Sequence, residues 1–252
     1  MTKLFERGVC WNMSREIFLV SSPFAGHGEP FNEQNKFLER LKESLSDCRN
    51  ILFITSNPDN IEFTEDFSNA IWYTMEHSGI EPFEYSVLDG RNSDKAKQLV
   101  VKSDAIILAG GHVPTQNRFF QNIGLRELLK EYGGVILGIS AGSMNSADIV
   151  YAQPEEEGEG NNPDFQKYLN GLGLTKHMIL PHYQDTKNRI LDGKRLFEEI
   201  TYPDSMGREF YAIPDGSYLF IKDGNERICG ESYLIKDGSC KEICSDGEEY
   251  QL

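Results

Sequence analysis

Positive charge is scarce in this chain. Lys and Arg number 25 against 40 Asp and Glu, a formal net charge of -15, and such a surface repels phosphate backbones and anionic lipid alike. Neither nucleic acid nor a membrane is therefore an expected partner. Long apolar runs are missing as well. Residues 1–15 carry Lys3, Glu6, Arg7 and Arg15 with too little hydrophobic sequence between them for a signal peptide or a membrane span, so a cytoplasmic location is expected. Cysteine is sparse and unpatterned: Cys10, Cys48, Cys229, Cys240 and Cys244 form an odd set without two matched ligand pairs. That arrangement points to reduced, structural thiols and away from a disulfide framework or a metal site. Histidine is limited to His27, His77, His112, His177 and His182.

What remains is ample for a core. Hydrophobic residues make up 39% and aromatics 11% of 252 residues, enough to fold without metal or disulfide staples. From Arg15 onward, short β-rich runs alternate with amphipathic stretches, the pattern of a mostly parallel sheet covered by crossover helices on both faces, a three-layer α/β sandwich. Residues 17–20, 51–54, 83–88, 105–108 and 135–137 are nearly continuous apolar runs, as strands buried on both faces require. Phe37, Leu38, Leu41 and Leu45 share a helical face, as do Phe63, Phe67, Ala70, Ile71 and Met75. Ser93 is an expected cap for a short helix through Val100, and a further helical segment is expected from Phe119 to Leu129. Residues 153–164 form a Pro/Gly/Glu/Asn-rich loop. A strand at 178–180, a helix over 190–200 and a strand at 209–213 are expected next. Gly216, Gly224, Gly230 and Gly238 then punctuate a C-terminal antiparallel β extension over 216–252. The whole chain, 1–252, is expected to be one domain with an N-terminal extension over 1–15. A homodimer is compatible with the sequence and not specified by it.

One segment carries chemistry. The strand at 135–137 runs straight into Gly138-Ile139-Ser140-Ala141-Gly142, a Gly-x-Ser-x-Gly string followed by small residues. A nucleophile held at a sharp strand-to-helix turn crowds its neighbours, so glycines are needed on either side while the serine backbone is strained and its hydroxyl exposed. A serine hydroxyl is a weak nucleophile until a base takes its proton. His182 follows Met178-Ile179-Leu180-Pro181 and so stands at a strand's carboxyl end, where sheets of this class gather their ligands. His27, His77 and His112 read as loop or surface residues, and His177 lies at the opposite end of the same strand. The third member should be a carboxylate that orients the imidazole. Glu155, Glu156, Glu157 and Glu159 in the loop are candidates, with Asp148 and Asp185 behind them. For an oxyanion hole, the amide of Ala141 is one expected donor and the Gly110-Gly111 strand end offers another.

Together, Ala109-Gly110-Gly111, the helix after Gln116, Gly138-Ile139-Ser140-Ala141-Gly142 and Leu180-Pro181-His182-Tyr183 resemble the dipeptidase E and cyanophycinase serine peptidases, over about residues 17–221. The resemblance implies a glutamine-amidotransferase-like α/β sandwich in which serine replaces the amidotransferase cysteine, with no metal or organic cofactor. It implies Ser140 as nucleophile, His182 as base, the Gly111 and Ala141 amides as oxyanion hole, and an acid that an ungapped count places at Glu155, with Glu157 and Glu159 as alternatives. The implied substrates are short peptides with an N-terminal aspartate or a branched aspartate-arginine polymer. Family members have an Asn directly after the paired glycines; here the sequence continues His112-Val113-Pro114-Thr115-Gln116, so Gln116 is the expected substitute contact. Lys187, Arg189, Lys194 and Arg195, on the helix expected after His182, form a basic cluster from which Arg189 is the expected partner of a substrate carboxylate.

Overall fold

The computed structural model describes residues 15–26 and 30–252; Cys10, His27 and nearly all of the N-terminal extension lie outside them. Five strands, β1 (Glu16–Val20), β2 (Asn50–Ile54), β3 (Glu84–Leu88), β4 (Ala105–Leu108) and β5 (Val135–Ile139), pair in parallel in the order β1-β5-β4-β2-β3. The alternation of side chains across a strand explains why each run is apolar throughout. Ile17 and Leu19 of β1 enter one core and Phe18 and Val20 the other. Helices α1 (Phe37–Leu45) and α2 (Ile61–His77) close the second core with Phe37, Leu41, Ile71 and Met75. Helices α3 (Ala96–Lys102), α4 (Val113–Asn122) and α5 (Leu125–Lys130) close the first with Val100, Phe119, Phe120, Leu125 and Leu129. The buried stripe of α2 also takes in Thr64, Ser68 and Thr74, and leaves Ala70 exposed. Ser93 does not start α3. Asp89 caps a 3-10 turn over Gly90–Lys95, in a capping box with Asn92, and α3 continues from it.

Beyond α6 (Ala141–Asn145), β6 (Ile149–Tyr151) and β7 (Tyr168–Asn170) form a ribbon, followed by β8 (Met178–Leu180) and α7 (Tyr183–Thr186). The helix expected over 190–200 is instead a hairpin, β9 (Ile190–Leu191) and β10 (Lys194–Arg195), leading into a π-helical turn at Leu196–Thr201 and the short α8 (Tyr202–Asp204). Its turn is Asp192-Gly193, with φ 54° and 79°, the paired left-handed conformation that suits a two-residue hairpin and that Asp-Gly adopts readily. Asp223-Gly224 and Asp237-Gly238 repeat that geometry in the C-terminal meander of β11 (Glu209–Ala212), β12 (Tyr218–Lys222), β13 (Asn225–Cys229), β14 (Ser232–Lys236), β15 (Ser239–Cys244) and β16 (Glu249–Gln251).

The antiparallel extension is shared between two sheets. Strands β12, β13 and β16 prolong the main sheet beyond β1, giving it eight strands, while β14 and β15 join β11 and β8 in a second, four-stranded sheet. Within that second sheet β8 and β11 run parallel, with Ala212 opposite Leu180. A third apolar cluster, including Met144, Tyr151, Phe197 and Phe210, packs beneath the elbow region. Among the described residues no helix is long and apolar enough to cross a membrane, and Cys48, Cys229, Cys240 and Cys244 are free thiols.

Candidate active site

Ser140 stands between β5 and α6 with φ 49° and ψ -107°, a conformation that L-residues other than glycine rarely adopt and that costs on the order of 1–3 kcal/mol. Two features hold it there. The Ser140 amide donates to the Val20 carbonyl at 3.0 Å, and the Ser143 hydroxyl bonds the carbonyls of Val20 (2.8 Å) and Gly138 (2.7 Å). The flanking glycines are steric requirements. A Cβ on Gly142 would sit 2.3 Å from the Leu108 carbonyl oxygen, and one on Gly138 would sit 3.0 Å from the Gly142 backbone.

His182 ends the short run after β8 and precedes α7, itself left-handed at φ 56°, ψ 36°. Its Nε2 lies 2.9 Å from Ser140 Oγ. Its Nδ1 lies 2.8 Å from Asp215 Oδ1. The three residues thus form a continuous Ser–His–Asp chain of hydrogen bonds, with the imidazole and the carboxylate each about one-third exposed, at 33% and 38%. Burial alone would raise the Asp215 pKa, but hydrogen bonds from His182 and Ser21 and the nearby imidazole outweigh it and hold the carboxyl below the usual carboxylate range.

The carboxylate beside His182 is therefore Asp215, and Glu155 does not occupy that place. Glu155 Oε1 accepts the Val113 amide at 3.1 Å, at the start of α4. Burial raises its pKa, against the lowering effect of that amide and of His112. Glu159 is also committed elsewhere: Oε1 meets His112 Nε2 at 2.9 Å, and Oε2 accepts the Glu155 and Glu156 amides. Glu156 and Glu157 are exposed, Asp148 pairs with Arg126, and Asp185 accepts from Gln184. Asp215 was hidden in Pro214-Asp215-Gly216, which reads as an ordinary turn. Its one signal is that Ile213-Pro214-Asp215 repeats the apolar-Pro-polar ending of Leu180-Pro181-His182. Because β8 and β11 are parallel neighbours, the two endings emerge side by side.

The other described histidines have partners of their own. His112 is held on both ring nitrogens, by Thr115 (2.7 Å) and Glu159, and His177 faces Glu226 at 3.5 Å and packs edge-on against Tyr211. His77 hydrogen-bonds the Tyr73 carbonyl and stacks on the Tyr73 ring. Among the described residues two groups have the spacing to ligate an ion, His112 with Glu156 and Glu159, and His182 with Asp185 and Asp215. In both, each imidazole nitrogen already has a protein partner, so an ion would have to displace Thr115 or Glu159 in one group, and Ser140 or Asp215 in the other.

The paired glycines lie against the serine, where a Cβ on Gly110 would come within 3.4 Å of Ser140 Cβ. Gly111 has φ 145°, and a Cβ there would be 2.2 Å from Ser56 Oγ, whose hydroxyl donates to the Gly110 carbonyl at 2.6 Å. Neither the Gly111 nor the Ala141 amide donates to an acceptor among the described residues.

Gln116, the expected substitute contact, has its side chain engaged by the protein. It is fully buried, its amide nitrogen donates to the Ala109 carbonyl at 2.7 Å, and its oxygen accepts from Asn145 at 3.0 Å, so it braces the strand end that leads into Gly110. Arg189 is exposed on the segment before β9 and uses Nη2 to hold the Glu155 carbonyl at 2.6 Å. The basic cluster does not lie on one helix: Lys194 bonds the Gly160 carbonyl and Arg195 pairs with Glu199.

Comparison with known proteins accords with this architecture. Residues 17–229 match the model of peptidase family S51, and the chain belongs to that family of serine peptidases. A crystal structure of a peptidase from an acI-B1 Actinobacterium superposes with a TM-score of 0.64 at 19% identity, covering 95% of this chain and 98% of the other. A candidate peptidase E protein from Listeria monocytogenes EGD-e superposes with a TM-score of 0.55 at 17% identity, covering 91% and 99%. No curated protein matches in sequence.

Proposed function

We propose that the chain is a serine exopeptidase that cleaves short peptides, of dipeptidase type, through an acyl-enzyme on Ser140. The observation that carries this reading is the position of His182 Nε2, 2.9 Å from Ser140 Oγ, with Asp215 on the opposite ring nitrogen. In the reaction His182 Nε2 takes the hydroxyl proton as Oγ attacks the peptide carbonyl, then returns it to the leaving amine. Asp215 keeps Nδ1 protonated and balances the transient imidazolium. The amides of Gly111 and Ala141, without an acceptor among the described residues, receive the developing oxyanion. Water, deprotonated by the same Nε2, then releases the acyl group.

For short peptides, the proposed boundary of the site is the glutamate loop, which is tied to the two residues after Gly111. Glu155 holds Val113, Glu159 holds His112, and Asp192 accepts the Gly158 and Gly160 amides. For a substrate with an N-terminal aspartate, Arg189 is the proposed partner of the side-chain carboxylate, since it is exposed and, among the described residues, its guanidinium hydrogen-bonds the protein through Nη2 alone. An esterase or amidase would use the same machinery, and a silent binding module would leave it idle.

The test is hydrolysis of dipeptides beginning with Asp, Asn or Ala, of longer peptides, and of aminoacyl esters, together with fluorophosphonate labelling of wild type and Ser140→Ala. Labelling and dipeptide turnover in the wild type alone are expected, with the Asp peptides fastest and that advantage lost in Arg189→Ala. Turnover by Ser140→Ala, or a wild type that neither labels nor hydrolyses, refutes the reading. Equal rates on the three dipeptides would discard the aspartate preference alone.

A further inference from the structure

Ser21, immediately after β1, has a fully buried side chain, and its hydroxyl is used twice. The His182 backbone amide donates to Ser21 Oγ at 2.7 Å, and Ser21 Oγ donates to Asp215 Oδ1 at 2.6 Å. That carboxylate oxygen is also the partner of His182 Nδ1. The contacts close a ring that runs from the His182 backbone through Ser21 and Asp215 back to the imidazole of the same histidine. A carboxylate that is 38% exposed can turn toward water, and a histidine at positive φ needs its backbone held. The Ser21 hydroxyl meets both needs from the rigid centre of the main sheet, where the Ser21 amide is anchored to the Ser217 carbonyl at 3.3 Å. The preceding residue completes the set, because the Val20 carbonyl accepts the Ser140 amide.

We propose that Ser21 is a positioning residue for the reacting centre, fixing the His182 backbone and the Asp215 carboxylate so that Oδ1 faces Nδ1 throughout turnover. The inference rests on the serine-peptidase reading above. Its energetic basis is the hydrogen bond to an ionised acceptor, stronger than a neutral one, and the cost of leaving a buried amide without an acceptor.

The experiment is a double-mutant cycle. Ser21→Ala should lower kcat, and the fluorophosphonate labelling rate, by about 10–50-fold with KM changed less than about twofold, as expected when a contact serves the chemical step more than binding. In the Asp215→Asn background, where Ser21 still holds the His182 amide but its bond to residue 215 is no longer charge-assisted, the same change should cost less than in wild type, about 3–10-fold. A proton NMR readout covers the case of poor substrate turnover: the low-field resonance of the His182 Nδ1 proton should shift or broaden in folded Ser21→Ala. Wild-type kcat in Ser21→Ala, an equal loss in both backgrounds, or an unmoved Nδ1 resonance would overturn the proposal. Failure of wild type itself to label would refute the peptidase reading and leave the NMR arm to judge Ser21.

Discussion

Replacing Asp215 by Asn separates the carboxylate's charge from its shape. Oδ1 accepts both His182 Nδ1 and Ser21 Oγ, so an Asn with its carbonyl oxygen at that position preserves both hydrogen bonds and removes only the charge that balances the imidazolium. A hydrogen bond to a charged group contributes about 1.5–3 kcal/mol. Exposure of both partners to about one-third places this one at the lower end, about 1.5–2 kcal/mol, because solvent screens it. At about 1.4 kcal/mol per tenfold in rate, Asp215→Asn should slow acylation roughly 10–30-fold. Glu155→Gln keeps an acceptor for the Val113 amide and should stay within about threefold of wild type, since its carboxylate has no contact with His182. The assay is the second-order rate of fluorophosphonate labelling, which needs no knowledge of the natural substrate, followed by peptide turnover. A larger loss in Glu155→Gln than in Asp215→Asn would refute the reasoning and return the acid's role to the glutamate loop.

The strained elbow makes a prediction about stability. Ser140→Gly relieves a backbone cost of about 1–3 kcal/mol and gives back about 0.5–1 kcal/mol through the freer unfolded chain; a net gain near 1 kcal/mol should raise Tm by roughly 2–4 °C while abolishing labelling, and a lower Tm would contradict the strain. The two carboxylates should respond to pH with opposite sign. Asp215, lowered in the fold, contributes stability that is present above its unfolded pKa of about 3.9 and is lost as pH falls through the lower folded value. Glu155, raised in the fold, contributes stability that is present below its unfolded pKa and is lost as pH rises through the folded one. Urea unfolding at successive pH values should therefore show Asp215→Asn losing ground to wild type as pH rises through the acid range, and Glu155→Gln gaining it; matching slopes would contradict the assignment of the two environments.

Much of the architecture was legible because it is written locally. Continuous apolar runs such as Ile17-Phe18-Leu19-Val20 require burial on both faces, and Gly138 and Gly142 are dictated by contacts within a few ångströms of Ser140. His182 was legible as the end of a short apolar run. Asp215 was not, because its proximity to His182 depends on β11 pairing in parallel with β8 across more than thirty residues, a tertiary fact carried by no local pattern. The hairpin at 190–195 was misread for a different reason: Ile190, Leu191, Leu196 and Ile200 suit a helical period, and the Asp192-Gly193 turn overrides it. Gln116 braces the Ala109 carbonyl, and nothing in the local sequence distinguishes a polar side chain that braces the backbone from one that meets a ligand.

Asp215, in the segment joining β11 of the second sheet to β12 of the main sheet, comes late in the order of synthesis. Ser140 and its elbow are complete once β1, β4 and β5 have met, but the acid arrives only with residues 209–222, and β12 must then thread in beside β1 at the opposite side from β5. A nascent chain that has formed the Ser140 elbow therefore still lacks the carboxylate beside His182. If Asp215 serves as the proposed acid, activity during refolding should appear only after the two sheets are joined.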